Sequence, residues 1–89
     1  MPTRTALITS GTTAATSADF TVDAGAPASV FLKASAPDKN MYVVLERYDG
    51  SAYYTVGEIR FPGLIVNAPG TYRVRRDKAA VAFAVDSEK

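Results

Sequence analysis

Ala68-Pro69-Gly70-Thr71-Tyr72-Arg73-Val74 is the stretch of this 89-residue sequence that decides the fold. A Pro-Gly pair marks a turn, and the residues that follow it alternate as in a β-strand with one buried face. A tyrosine near the start of such a strand is typical of a tyrosine corner, in which the ring is buried and the hydroxyl binds nearby backbone. Tyr72 is therefore predicted to be a structural residue of a β-sandwich.

Alternating apolar residues predict further strands on both sides of this stretch. Upstream, Met41, Val43 and Leu45 share one face of a strand, and Asp49-Gly50 then favours a hairpin into a second strand at 52–59. Convincing helical periodicity is absent, because Thr, Pro and Gly interrupt the alanine-rich segments. The remaining strands are predicted at 5–9, 20–22, 30–34, 64–66, 71–75 and 80–85.

Seven to eight short strands separated by turns predict an all-β fold. We expect a two-sheet antiparallel β-sandwich, immunoglobulin-like in connectivity, with a jelly roll as the alternative. Residues 18–89 are expected to form this single domain. Residues 1–17, rich in Thr, Ser and Ala, form either an extended N-terminal arm or the first strand. As an arm, this segment could place Leu7 and Ile8 in pockets of a neighbour's sheet.

Composition argues against several classes of function. The chain contains neither cysteine nor histidine, which removes disulfides, thiolate metal sites and the usual general base near neutral pH. Ten basic and nine acidic residues leave a net charge of +1, which does not suit a nucleic-acid binder that neutralises phosphates. The carboxylates fall mostly at turns or on predicted solvent faces. We therefore expect no enzymatic activity, no cofactor and no metal site.

The sequence also bears on localisation. The N-terminal segment lacks the continuous apolar run of a signal peptide, and other apolar runs are much shorter than the roughly 20 residues that span a bilayer. We expect synthesis in the cytoplasm and no membrane partner.

Tyrosines are concentrated around the predicted hairpin, where four of the five in the chain are found. Tyr42 and Tyr48 are expected to project outward from one strand, with Tyr53 beside them on the next. Tyrosine offers a large contact area with little rotamer entropy to lose, so this face could bind another protein copy or a glycan. Ordinary cross-strand pairing within one domain is the alternative. The absence of Trp favours a protein over an extended sugar platform.

Arg73 and Arg75 are expected on the outward face of the strand that contains Tyr72. They could pair with acidic side chains of a partner subunit, or form ion pairs within the chain to residues such as Glu46. The candidate interface residues are therefore Leu7, Ile8, Tyr42, Tyr48, Tyr53, Arg73 and Arg75.

Three segments, after a Thr-Ala-Ser-rich start, carry a resemblance to known proteins: Ser29-Val30-Phe31-Leu32-Lys33, Val43-Val44-Leu45-Glu46-Arg47-Tyr48-Asp49-Gly50 and Pro69-Gly70-Thr71-Tyr72-Arg73-Val74-Arg75. In these the chain resembles small immunoglobulin-like structural proteins of tailed bacteriophages. Members of that group decorate or cement capsid shells, or form parts of fibres and tails, usually as oligomers without catalytic activity.

The resemblance implies a virion protein made in the host cytoplasm, first of all a capsid decoration or cement protein. Its partners would be other copies of itself and a major capsid protein. A fibre, tail or baseplate component is the nearest alternative. A carbohydrate-binding or adhesin-like module that uses the tyrosine face is the alternative from a different class.

Overall fold

Nine β-strands form two antiparallel sheets in the computed structural model, which describes residues 3–38 and 40–89. The strands are β1 Arg4–Gly11, β2 Ala15–Thr16, β3 Phe20–Val22, β4 Ala28–Lys33, β5 Tyr42–Tyr48, β6 Tyr53–Arg60, β7 Gly63–Val66, β8 Gly70–Arg76 and β9 Phe83–Glu88. Sheet A has the order β1-β9-β4-β7, and sheet B has the order β2-β8-β5-β6, with β3 also paired to β8. The predicted all-β, two-sheet antiparallel sandwich is confirmed.

The strand order is that of a jelly roll. β2 and β3 both pair with β8, at its two ends, so they act as one interrupted strand. Counted in this way, the sheets have the orders 1-8-3-6 and 2-7-4-5, as in a double Greek key. In an immunoglobulin domain the last strand pairs with the strand of the tyrosine corner. Here β9 belongs to sheet A and lies between β1 and β4. The expected immunoglobulin-like connectivity is therefore wrong, and the connectivity is that of the jelly-roll alternative.

The core lies between the sheets and is built from alternate residues of the longer strands. β1 pairs with β9 and contributes Ile8 to this core. Residues 4–11 are therefore the first strand of the sandwich rather than an extended arm, while Met1 and Pro2 lie outside the described residues. The largest fully buried side chains are those of Tyr72, Phe83, Ile59, Val22, Val30, Val43, Val74 and Val85.

The last strand begins and ends later than the sequence predicts. Apolar alternation indicated a strand at 80–85, but β9 runs from Phe83 to Glu88. Its second half is polar and nevertheless largely buried, because β9 lies between two neighbouring strands. Asp86 is buried there and forms an ion pair with Lys33 at 2.9 Å.

Tyr72 forms the predicted tyrosine corner. Its buried ring stacks against Phe20, with 5.9 Å between the ring centroids. Its hydroxyl donates a 2.7 Å hydrogen bond to the carbonyl oxygen of Ala68. This bond fixes the turn that leads into β8, and it occurs here within jelly-roll connectivity.

Arg76 is a buried cation, with only 2% of its surface exposed. Its guanidinium donates hydrogen bonds to the carbonyl oxygens of Thr9 and Thr13 at 2.8 Å and of Phe83 at 2.6 Å. Within residues 3–38 and 40–89 it forms no ion pair with a carboxylate. Burial lowers the pKa of Arg76 below its ordinary value. One side chain from sheet B thus connects β1, the loop after it and β9.

Removing the hydroxyl of Tyr72 tests the corner. We expect Tyr72→Phe to lower the free energy of unfolding by about 1–2 kcal/mol, because the carbonyl of Ala68 loses its buried donor. Urea unfolding monitored by circular dichroism measures the change. Tyr54→Phe, which removes the hydroxyl of an exposed tyrosine, is the control and should change the value by less than about 0.5 kcal/mol. Equal effects of the two variants would contradict a structural role for the corner.

Replacing Arg76 tests the buried cation. We expect Arg76→Met to lower the free energy of unfolding by about 3 kcal/mol, because three carbonyl oxygens lose a charged donor. Arg60→Met removes an exposed arginine, whose ion pair with Glu58 is solvated, and should cost less than about 1 kcal/mol. The same urea experiment compares them, and a smaller loss for Arg76→Met than for Arg60→Met would refute the assignment.

Candidate interaction face

The outer face of sheet B brings together most of the candidate residues. Val43 and Leu45 of β5 face the core, so the even-numbered residues of β5 face outward. Cross-strand register places Tyr53 of β6 and Arg73 and Arg75 of β8 on the same outward side. We name this surface the tyrosine-arginine face; it contains Tyr42, Tyr48, Tyr53, Arg73 and Arg75 together with Glu46 and Asp77.

Glu46 lies at the centre of the tyrosine-arginine face and is only 8% exposed. Its Oε1 accepts a 2.7 Å hydrogen bond from Nε of Arg73, and its Oε2 lies 3.6 Å from Nη1 of Arg75. Both candidate arginines therefore pair with a carboxylate of their own chain, which was the intramolecular alternative. Because Glu46 is shielded from water, losing either arginine would leave its charge poorly compensated.

Tyr53 is the first residue of the edge strand β6, and its side chain extends across the tyrosine-arginine face. The guanidinium of Arg73 stacks on its ring at 3.5 Å from the centroid, and the ring of Tyr48 packs against it with 5.0 Å between centroids. Its hydroxyl donates a hydrogen bond to the carboxylate of Asp19, which precedes β3 on the far side of the sheet. Three contacts thus fix the orientation of this ring.

Tyr42 occupies the other end of the face. The guanidinium of Arg60 lies 5.6 Å from its ring centroid, and its hydroxyl donates a 3.4 Å hydrogen bond to Oδ2 of Asp77. Nε of Arg75 lies 3.3 Å from Oδ1 of the same carboxylate. That contact lacks hydrogen-bond geometry, and within the described part of the chain Arg75 Nε is a buried donor without an acceptor.

Leu7 and Ile8 do not belong to this face. Ile8 is buried in the core, and the half-buried Leu7 packs against the same core. Since β1 pairs with β9 along sheet A, both side chains stabilise their own sandwich. They are not available to a neighbouring molecule while β1 remains in place.

An apolar edge of the sandwich was missed by the sequence reasoning. In the described ranges the exposed large apolar side chains all lie between residues 48 and 65. A signal for this edge was present, because the sequence has no charged residue from Phe61 to Tyr72. The exposed set is Tyr48, Tyr54, Val56, Phe61, Leu64 and Ile65.

The contact between Tyr53 and Asp19 can be tested by titration. This hydrogen bond raises the pKa of the Tyr53 phenol above its ordinary value of 10.0, because ionisation would remove the donated proton and place a phenolate beside a carboxylate. We expect Asp19→Asn to lower the pKa of Tyr53. NMR titration with ¹³Cζ-labelled tyrosine measures it, and Tyr53→Phe identifies the signal. Asp77→Asn is the control, because the Asp77 carboxylate binds the hydroxyl of Tyr42 rather than that of Tyr53, and it should leave the pKa of Tyr53 unchanged. An unchanged pKa of Tyr53 in Asp19→Asn would contradict the contact.

Comparisons with protein-family models, with curated proteins and with solved structures found no match to this chain. Across residues 3–38 and 40–89, no three acidic, histidine or cysteine residues are grouped so as to hold a metal ion. The same ranges contain no helix with the length and apolar character needed to cross a membrane. Function is therefore inferred from the tyrosine-arginine face and the edges of the sandwich.

Proposed function

We propose that this protein is a non-enzymatic structural protein of a virion, a capsid decoration or cement protein that binds the shell through the tyrosine-arginine face. The observation that carries the proposal is the clustering of tyrosines and arginines on one outer sheet face, held in place by their neighbours. The resemblance to small structural proteins of tailed bacteriophages supports the same assignment. Jelly-roll domains are also frequent in viral capsids, which is support from fold alone.

The residue types of this face suit a protein contact. Tyrosine and arginine are enriched at the centres of protein interfaces and among the residues that dominate binding energy. Tyr53 is already fixed by Arg73, Tyr48 and Asp19, so it has little rotamer freedom to lose when a partner binds. Preorganisation of this kind favours affinity.

The charges of the face are largely balanced within it. Arg73 and Arg75 lie beside Glu46, and Arg75 also lies beside Asp77. A partner therefore does not have to supply carboxylates to neutralise the two arginines. Binding should depend on aromatic contact area more than on long-range attraction, and so should respond weakly to salt.

The same contacts argue against a sugar platform. Sugar recognition needs free hydrogen-bonding groups and open aromatic rings, yet the hydroxyls of Tyr42, Tyr48 and Tyr53 donate to Asp77, to the carbonyl of Gly50 and to Asp19. The Arg73 guanidinium also occupies one face of the Tyr53 ring. A protein partner is therefore favoured over a glycan.

The location of the chain in phage particles tests the proposed role. Particles produced from a genome that encodes the chain are separated into heads and tails on a density gradient, and peptides are identified by mass spectrometry. We expect the chain in the head fraction. Its presence only with tails would support the fibre, tail or baseplate alternative, and its absence from purified particles would overturn the proposal.

A variant of the tyrosine-arginine face tests the binding surface. We expect Tyr48→Ala to weaken binding to heads that lack the protein by about tenfold, since truncating an interface tyrosine typically costs more than 1 kcal/mol. Tyr54→Ala is the matched control: the two residues are 40% and 47% exposed, but Tyr54 points to the other side of sheet B. Equal losses would contradict the assignment of this face. Glycan binding that is lost in Tyr48→Ala would support the adhesin alternative.

A further inference from the structure

β7 is one of the two edge strands of sheet A, the other being β1, and it is apolar. Leu64 and Ile65 are exposed to 51% and 56%. Natural proteins usually guard such edges with charged residues, prolines or bulges. β7 itself, Gly63–Val66, contains no charge and no proline, and it pairs with β4 without a register shift. The strand is therefore an open template for another strand.

The pairing with β4 determines which backbone groups of β7 face this open edge. The backbone N–H of Leu32 donates a 2.9 Å hydrogen bond to the carbonyl of Pro62. Bonded and non-bonded pairs alternate along an antiparallel ladder, so Leu64 occupies a bonded position toward β4, and Gly63 and Ile65 occupy non-bonded ones. The N–H and C=O groups of Gly63 and Ile65 therefore point away from β4.

Gly63 packs closely against β4, and because it has no side chain a shallow gap lies beside it at this edge. A Cβ at Gly63 would lie 2.2 Å from the carbonyl oxygen of Val30 and 2.7 Å from Cα of Phe31, so the position accepts only glycine. Phe31 lies opposite Gly63 on β4, and Ile65 is two residues further along β7. The resulting shallow groove is lined by Ser29, Val30, Phe31, Pro62, Gly63, Leu64 and Ile65.

We propose that a second copy of this chain pairs antiparallel with β7, with Leu64 opposite Leu64 of the partner copy. In that register Ile65 of each copy lies opposite Gly63 of the other. These are the positions whose backbone groups point outward, so each such pair exchanges two main-chain hydrogen bonds. The Ile65 side chain of one copy then enters the gap at Gly63 of the other, beside Phe31.

The strand matches itself in charge as well as in shape. A two-fold contact places each residue of a strand near its own counterpart, so a charged edge strand would face like charges. β7 and the turn after it carry none. The contact lies on sheet A, whereas the tyrosine-arginine face lies on sheet B, so either contact can fail without the other.

Disulfide trapping tests the register, because the chain has no cysteine of its own. Directly opposite non-bonded positions have Cα atoms about 4.5 Å apart, within the range of a disulfide. We expect Leu64→Cys to form a covalent dimer under mild oxidation, seen on a non-reducing gel. Val56→Cys is the matched control, since Val56 is also 51% exposed and lies on the neighbouring edge strand β6. It should remain monomeric.

A charge placed in the contact tests it without cysteine. We expect Ile65→Lys to weaken self-association by about tenfold in sedimentation equilibrium, because the lysine would occupy the apolar gap beside Phe31. Val56→Lys should leave association unchanged. Both sites are exposed, and circular dichroism verifies that both variants fold.

Three results would overturn the proposed contact. Equal trapping of Leu64→Cys and Val56→Cys would indicate random collision. Trapping of Leu64→Cys only when it is mixed with Thr5→Cys would place β1 of a neighbour against β7 and replace the two-fold register. A protein that stays monomeric at millimolar concentration and is not trapped would exclude the contact, whatever Tyr48→Ala does to the binding of heads.

Discussion

The buried guanidinium of Arg76 connects the two sheets of the jelly roll, because it joins β8 of sheet B to the first and last strands of sheet A. From β8 in sheet B it binds backbone carbonyls of β1, of the following loop and of β9. An 89-residue chain without disulfides has a small core, so directed bonds across the sandwich carry more weight than in a larger domain. Arginine suits this position because it stays charged when buried and has several donors in a fixed plane.

The tyrosine-arginine face and the apolar edge at β7 follow from the strand order that Arg76 stabilises. With β1 and β9 fixed, β4 is flanked by β9 and β7, and β7 is left as a free edge. In sheet B, β5 is flanked by β8 and β6, so its outward residues meet those of both neighbours. The placement of the arginines of β8 beside the tyrosines of β5 and β6, and the apolar edge, are therefore products of strand order, which sequence spacing alone does not reveal.

Local features of the fold were predictable from the sequence, and long-range ones were not. The hairpin at Asp49-Gly50 and the corner at Tyr72 depend on neighbouring residues, so turn chemistry and alternation indicated both. The connectivity depends on where β9 pairs, and a tyrosine corner does not specify that. Arg76 lies an even number of residues after Tyr72 and Val74 in β8, so its side chain faces the core as theirs do. Its charge alone would have predicted an exposed side chain. Ile65 exposes an apolar side chain because it alternates with the buried Val66 and so points away from the core on an edge strand.

The geometry of the proposed dimer links the two surfaces. Residues directly opposite in an antiparallel pair point to the same side of the sheet. The two-fold axis therefore passes midway between Leu64 and its counterpart and runs perpendicular to sheet A. Both copies then place sheet B on the same side of the joined sheets, and their tyrosine-arginine faces point in the same general direction. A shell that repeats its binding sites at a matching spacing would engage both faces at once. Modest affinity at each face would then suffice, because the second contact forms at a high effective concentration.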